Sequence, residues 1–154
     1  MTIISKGKVI SLDLGEKRIG LAVCDEDRIL AQPLCTINRK GREKDIAAII
    51  HLAQEQKANL IVIGFPRQAD DSLGVSALKV LKFSSRLKRV SGLTLAFVDE
   101  WETTVEANEY LLRADVSRKR RKQIVDKLAA SLILKRFLEK GALSGINLED
   151  LPDE

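Results

Sequence analysis

A chain of 154 residues, 45% hydrophobic and 31% charged, is long enough for one domain with a real core and too short for two ordinary ones. No apolar run approaches transmembrane length, and residues Met1 to Lys8 lack the long apolar segment of a secretory signal. Cys24 and Cys35 are the only cysteines and no Cys/His spacing resembles a zinc site, so buried reduced thiols in a cytoplasmic protein are expected. A net charge of +4 is mild evidence for an anionic partner, and its clustering says more than its total.

Taken in order, Val9 to Val23 read as strand, tight turn and strand. Ile10, Leu12 and Leu14 alternate with Val9, Ser11 and Asp13, and beyond the turn Ile19, Leu21 and Val23 alternate with Gly20, Ala22 and Cys24. Gly15 can take backbone angles closed to other residues, which would let the chain reverse there. A polar turn at Asp25-Glu26-Asp27 leads to a third strand over about Arg28 to Thr36, which Pro33 marks as an edge or irregular strand. Arg42 to Lys57 is helical, with Ile46, Ile49, Ile50 and Ala53 on one face and His51, the only histidine, pointing away as a surface residue.

Leu60 to Ile63 is fully apolar, as a strand covered on both faces requires, and Gly64-Phe65-Pro66 should stop it. Gly74 to Arg89 is expected to be a helix burying Leu78, Leu81 and Phe83. Leu93 to Val98 is the next strand, followed at once by Asp99-Glu100. A helix begins at Thr103, where Thr103 and Glu106 fit a capping box, and runs to about Arg113. Ser117 could cap the last long helix, which carries Ile124, Val125, Leu128, Ala129, Leu132, Ile133 and Phe137 and ends at Gly141. These elements describe an α/β protein: one domain over residues 1–140, a mixed sheet with helices on both faces, and an acidic, flexible tail over 141–154.

Three carboxylates stand out although they are distant in sequence. Asp13 lies near the end of an apolar strand, where an ionised group must find a cation, hydrogen bonds or water. Asp126 sits mid-helix among Ile124, Val125, Leu128, Ala129 and Ala130. Pairing of a half-exposed Asp126 with Lys122 or Arg136 is the alternative to a site. Asp99-Glu100 follows a strand, and solvated loop acids are the alternative there. If the first and last long strands are sheet neighbours, Asp13, Glu100 and Asp126 can converge. Converging carboxylates repel unless a hard cation such as Mg²⁺ or Mn²⁺ joins them.

Leu12 to Val23, Ile63-Gly64-Phe65-Pro66, Asp99-Glu100 with Thr103 to Ala107, and Asp126 to Ala130 resemble, in that order, the motifs of the YqgF/RuvX family. The resemblance covers about Lys8 to Leu138. It implies a ribonuclease H-like fold with a mixed five-stranded sheet. It also implies nuclease activity, since members are described as Holliday junction resolvases and as nucleases that mature the 5′ end of pre-16S ribosomal RNA. The family's acidic metal site maps onto Asp13, Glu100 and Asp126. Three stretches depart from the family pattern: Trp101 where Arg is usual, Glu102 where the family is apolar, and Arg67 to Asp70 where Asn-Met-Asp-Gly is common. Trp101 could stack on a base or pack as an ordinary aromatic.

Arg118-Lys119-Arg120-Arg121-Lys122 places five cations at a helix start, where they oppose the macrodipole and one another. A polyanion relieves both penalties, and a solvated face balanced by the acidic tail is the alternative. The combined expectation is a divalent-metal-dependent hydrolase cleaving structured nucleic acid, either pre-rRNA (free or in ribosomal precursor particles) or branched DNA. Lys17, Arg18 and the 118–122 run would position the backbone. The oligomeric state is open between monomer and homodimer. One rival is an inactive binding module of the same fold. Another is an actin-like or sugar-kinase phosphotransferase, for whose second lobe 154 residues leave little room.

Overall fold

The computed structural model describes residues 6–66, 74–99, 118–144, 146 and 148, and of residues 75 and 118–127 only the backbone. Five strands, β1 (Lys8–Leu14), β2 (Arg18–Cys24), β3 (Ala31–Asn38), β4 (Ala58–Phe65) and β5 (Thr94–Asp99), form one sheet in the order β3-β2-β1-β4-β5. The first three pair antiparallel, while β1–β4 and β4–β5 pair parallel. The helices are α1 (Arg42–Gln56), α2 (Val75–Ser91) and α3 (Arg118–Lys140). The expected helix from Thr103 and the Ser117 cap lie outside the described residues.

Period-two alternation gives the sheet two apolar faces. Ile10, Leu12, Ile19, Leu21, Ile61 and Ile63 pack with Ile46 and Ile49 of α1 and Leu81 and Leu87 of α2. Val9, Ala22, Leu60, Val62, Ala96 and Val98 pack with Ala130, Ile133, Leu134 and Phe137 of α3. Helices thus cover both faces, and β1 and β4, covered on both, are the nearly continuous apolar runs that central strands require. Among the described residues no helix is long and apolar enough to cross a membrane.

Several local expectations change. β3 starts at Ala31 rather than Arg28, because the Asp25 carboxylate accepts the backbone N–H groups of Ile29 and Leu30 at 2.8 and 2.9 Å and holds them in the turn. β3 is an edge strand and its register slips where Pro33 stands, as a residue without an N–H requires. β4 runs on through Gly64 and Phe65 instead of stopping at Ile63. In α2 Leu81 and Phe83 are buried as expected, with Ala77, Val80, Ser84 and Leu87, but Leu78, a helical step round from Ala77, is 44% exposed. Gly15 is not in the left-handed region: a Cβ there would lie 2.7 Å from the Arg18 carbonyl oxygen, so clearance is what the turn demands of it.

Gly141 ends α3 with φ near +77° and an N–H donated to the Phe137 carbonyl. Beyond it the acidic composition predicts a flexible tail. The Leu143 N–H instead donates to the Phe97 carbonyl of β5 at 2.8 Å, and Ile146 and Leu148 pack into the cluster on the α1–α2 face.

Candidate active site

Ser11 fixes which face of β1 matters. Its buried Oγ donates to the Ala130 carbonyl of α3 at 2.6 Å. Asp13, two residues on, therefore shares the α3 face, with only 7% of its surface exposed. Asp126 precedes Ala130 by one helical turn, which places its backbone in the N-terminal half of α3. Nothing beyond that backbone position is described for Asp126 or for the 118–122 run, and Glu100, Trp101 and Glu102 lie outside the described residues.

The sheet does not make the first and last strands neighbours: β4 lies between β1 and β5. The β1–β4 pairing reaches Leu12 with Ile63, and one residue further on stand Asp13 and Gly64. Gly64 in turn pairs with Val98, the second-last residue of β5. On the other side, Asp13 pairs with Gly20 of β2. A buried carboxylate thus has a glycine beside it on each neighbouring strand. Along the sheet, Gly64 puts no side chain between Asp13 and the end of β5, about 10 Å away at two strand spacings. From sequence Gly64 is only a strand stop, and Gly20 has no role. The value of both depends on register, which the sequence alone does not display.

The turn after Asp13 is braced by Arg39, a residue that no sequence motif singles out. Arg39 donates from its guanidinium to the Gly15 carbonyl at 2.9 Å and to the Asp45 carboxylate at 3.2 Å, and lies 5.3 Å from the centre of the Phe83 ring. Its own N–H donates to the Lys17 carbonyl at 2.9 Å. Asp45, 2% exposed, also accepts the Lys40 N–H at 2.8 Å. A single Asp at the start of an amphipathic helix resembles an ordinary first-turn acid, and its spacing from Arg39 is the only signal of the pair. Of the predicted phosphate-positioning pair on the turn, Lys17 is exposed and Arg18 half-buried at the start of β2. His51 is a surface residue, 3.2 Å from Glu55.

The predicted metal ligands are all carboxylates, a hard oxygen set suited to Mg²⁺ or Mn²⁺ rather than zinc. Among the described residues no three His, Cys, Asp or Glu stand together, since only Asp13 of the three has a described side chain. Asp13 itself, a buried carboxylate at a strand end between two glycines, fits such a role.

Residues 7–140 match the family model of RuvX, described as a Holliday junction resolvase. A Clostridium kluyveri protein named "Putative pre-16S rRNA nuclease" is 41% identical over 133 residues, covering 86% of this chain and 97% of its own. A Syntrophus aciditrophicus protein of the same name is 40% identical over 147 residues, covering 96% and 95%. Among solved structures, RuvC of T. thermophilus in complex with a Holliday junction substrate superposes with a TM-score of 0.53 at 15% identity, over 88% of this chain and 98% of that one. The fowlpox virus Holliday junction resolvase gives 0.50 at 14% identity, over 86% and 98%. At such identities the structural likeness is one of fold, the ribonuclease H-like fold. With the motifs of β1, β4 and β5 carried on its mixed sheet, the chain belongs to the RuvX family.

Proposed function

We propose that this protein is a divalent-metal-dependent nuclease whose centre is built from Asp13, Glu100 and Asp126. The observation that carries this reading is the buried Asp13 carboxylate on the α3 face, with Gly20 and Gly64 flanking it. Ala96 and Val98 of β5 face α3, and Glu100 is chosen over Asp99 because the family's acidic motif maps onto it. The Ser11–Ala130 hydrogen bond sets α3 against β1 one turn from Asp126.

A divalent cation held by these carboxylates would activate water and offset charge on the attacked phosphate. Lys17, Arg18 and the cations of 118–122 hold and orient the substrate backbone. Arg39, through Gly15 and Asp45, keeps the turn that follows Asp13 in place. The names of the relatives make pre-16S ribosomal RNA the first substrate to try, in the cytoplasm, and the family's description makes a four-way DNA junction the second.

The test uses Asp126→Asn and Asp13→Asn, which keep shape and remove charge. Both should lose cleavage of a pre-16S 5′-leader RNA and of a four-way junction. Both should also lose most of the rise in melting temperature that Mn²⁺ gives the wild type, a rise worth about 2.7 kcal/mol at a hundredfold excess over Kd. Asp126→Asn should be no less stable than the wild type without metal. An Asp126→Asn protein that melts early without metal yet cuts normally with it would show that Asp126 is a structural ion-pair partner.

A further inference from the structure

On the other face of the sheet, beside the turn that follows Asp13, lies a cavity of about 610 Å³. Leu14 and Gly15, the two residues after Asp13, form part of its wall, so it opens at the same strand end as the candidate site. Among the described residues four cations line it, Arg39, Arg42, Lys79 and Lys82, against one acid, Glu16. Its remaining wall is largely apolar, including Val80 and Phe83. An apolar wall inside a ring of positive charge fits a ligand with a flat apolar part and an anionic part.

Arg39 gives the cavity its most specific feature. Its Nε is committed to Asp45 at 3.2 Å and its Nη1 to the Gly15 carbonyl at 2.9 Å, and its guanidinium lies 5.3 Å from the Phe83 ring centre. The plane of the group is fixed before any ligand arrives, while 27% of the side chain stays exposed. A fixed guanidinium plane is a platform on which an unstacked base can lie. Asp45 offsets the Arg39 charge, and Glu43 lies 3.5 Å from Arg42 and 3.2 Å from Arg86. Lys79 and Lys82 add positive charge on the α2 side of the cavity.

We infer that this cavity receives one unpaired nucleotide of the substrate strand, its base on Arg39 and its phosphate on Lys79 and Lys82. The inference rests on the nuclease reading, because the cavity begins one residue past Asp13. A strand crossing the sheet end from Asp13 meets the cavity at Leu14 and Gly15, the next two residues of the chain. The site selects substrates with an unpaired nucleotide next to the cut, since a base held in a duplex cannot lie on Arg39.

The probe is an oligonucleotide duplex with a short unpaired strand carrying one 4-thiouracil, compared with its fully paired counterpart by fluorescence anisotropy. Lys79→Gln with Lys82→Gln should weaken binding of the forked probe roughly tenfold at low salt and lower its log–log salt slope by about 0.7 for each phosphate no longer neutralised. Binding of the paired probe should change little. Irradiation should crosslink the forked probe within residues 79–83. Unchanged affinity and slope on the forked probe, equal weakening on both probes, or crosslinks only elsewhere would overturn the inference. So would displacement of the probe by micromolar nucleoside monophosphate, which marks a site for a free nucleotide. If pocket variants bind normally while Asp13→Asn abolishes cutting, the pocket alone fails. If pocket variants bind weakly while Asp13→Asn cuts normally, the assignment of the centre fails and the pocket stands.

Discussion

Ser11→Ala removes one hydroxyl from a fully buried position and with it the 2.6 Å bond to the Ala130 carbonyl. The expected cost follows from what is left behind. Within α3 the Ala130 carbonyl also accepts the amide four residues on, so it is not orphaned, and the penalty of about 1–3 kcal/mol for a buried unpaired group does not apply. The cost is then the net value of one good hydrogen bond, about 0.5–1.5 kcal/mol. For a domain of this size that lowers the melting temperature by about 2–4 °C per kcal/mol. The second effect is positional. Ser11 is two residues from Asp13 and Ala130 is one turn from Asp126, so the bond sets the spacing of the β1 and α3 backbones at the proposed centre. Ser11→Ala should therefore reduce the stabilisation by Mn²⁺ and slow cleavage by more than its thermal cost alone accounts for. Urea denaturation with and without Mn²⁺, with cleavage measured well below the melting temperature, separates the two effects. A metal response and rate equal to wild type would refute the positional argument. A destabilisation above about 1.5 kcal/mol would show that the helix carbonyl was orphaned after all.

Gly15→Ala should cost about 1–3 kcal/mol by urea denaturation, because its Cβ would meet the Arg18 carbonyl oxygen at 2.7 Å and that oxygen belongs to backbone. A change within about 0.5 kcal/mol, the usual range of a surface substitution, would show that the turn can yield. At the hairpin, the N–H of Leu30, and after it that of Ile29, holds the exposed Asp25 carboxyl below the usual carboxylate range. A folded pKa below the unfolded one means the contribution is present above the unfolded pKa and disappears as pH falls through the folded value. The amide resonances of Ile29 and Leu30 should therefore titrate together at a pH below 3.8, and Asp25→Ala should abolish the transition.

Local pattern and long-range arrangement are not equally readable from the chain. The five strands and three described helices follow from alternation and helical spacing, because each element buries one face or two and the periods differ. The Asp13 position is readable for the same reason: a carboxylate on the face of Ser11 and Val9 is anomalous wherever that face goes. What the sequence does not display depends on packing partners. Leu78 looks like core, but the contact stripe of α2 is set by Ala77 and Leu81, a register chosen by the sheet. Gly15 looks like a residue of unusual φ, but the approach of the Arg18 carbonyl explains it. The sequence ties convergence of the carboxylates to β1 lying beside β5, whereas both strands pair in parallel with β4, an order that alternation cannot show. Arg39 and Asp45 meet at short sequence range, yet nothing in the chain announces that Arg39 also grips Gly15 and Phe83.

The segment after Gly141 bears on how the protein is made. α3 packs on one face of the sheet, whereas Leu143, Ile146 and Leu148 pack with the cluster on the other, so the chain rounds the β5 edge between them. There the Leu143 N–H takes the Phe97 carbonyl. During synthesis the β1–β2–β3 meander can pair as soon as it emerges, because its contacts are local. β5 is the other terminal strand of the sheet, and an unpaired strand edge can recruit another chain. That strand gains its Leu143 contact only after some forty further residues have been made. Among the described residues, the Leu143 contact and the packing of Ile146 and Leu148 on the α1–α2 face are therefore among the last to be made as the chain is synthesised.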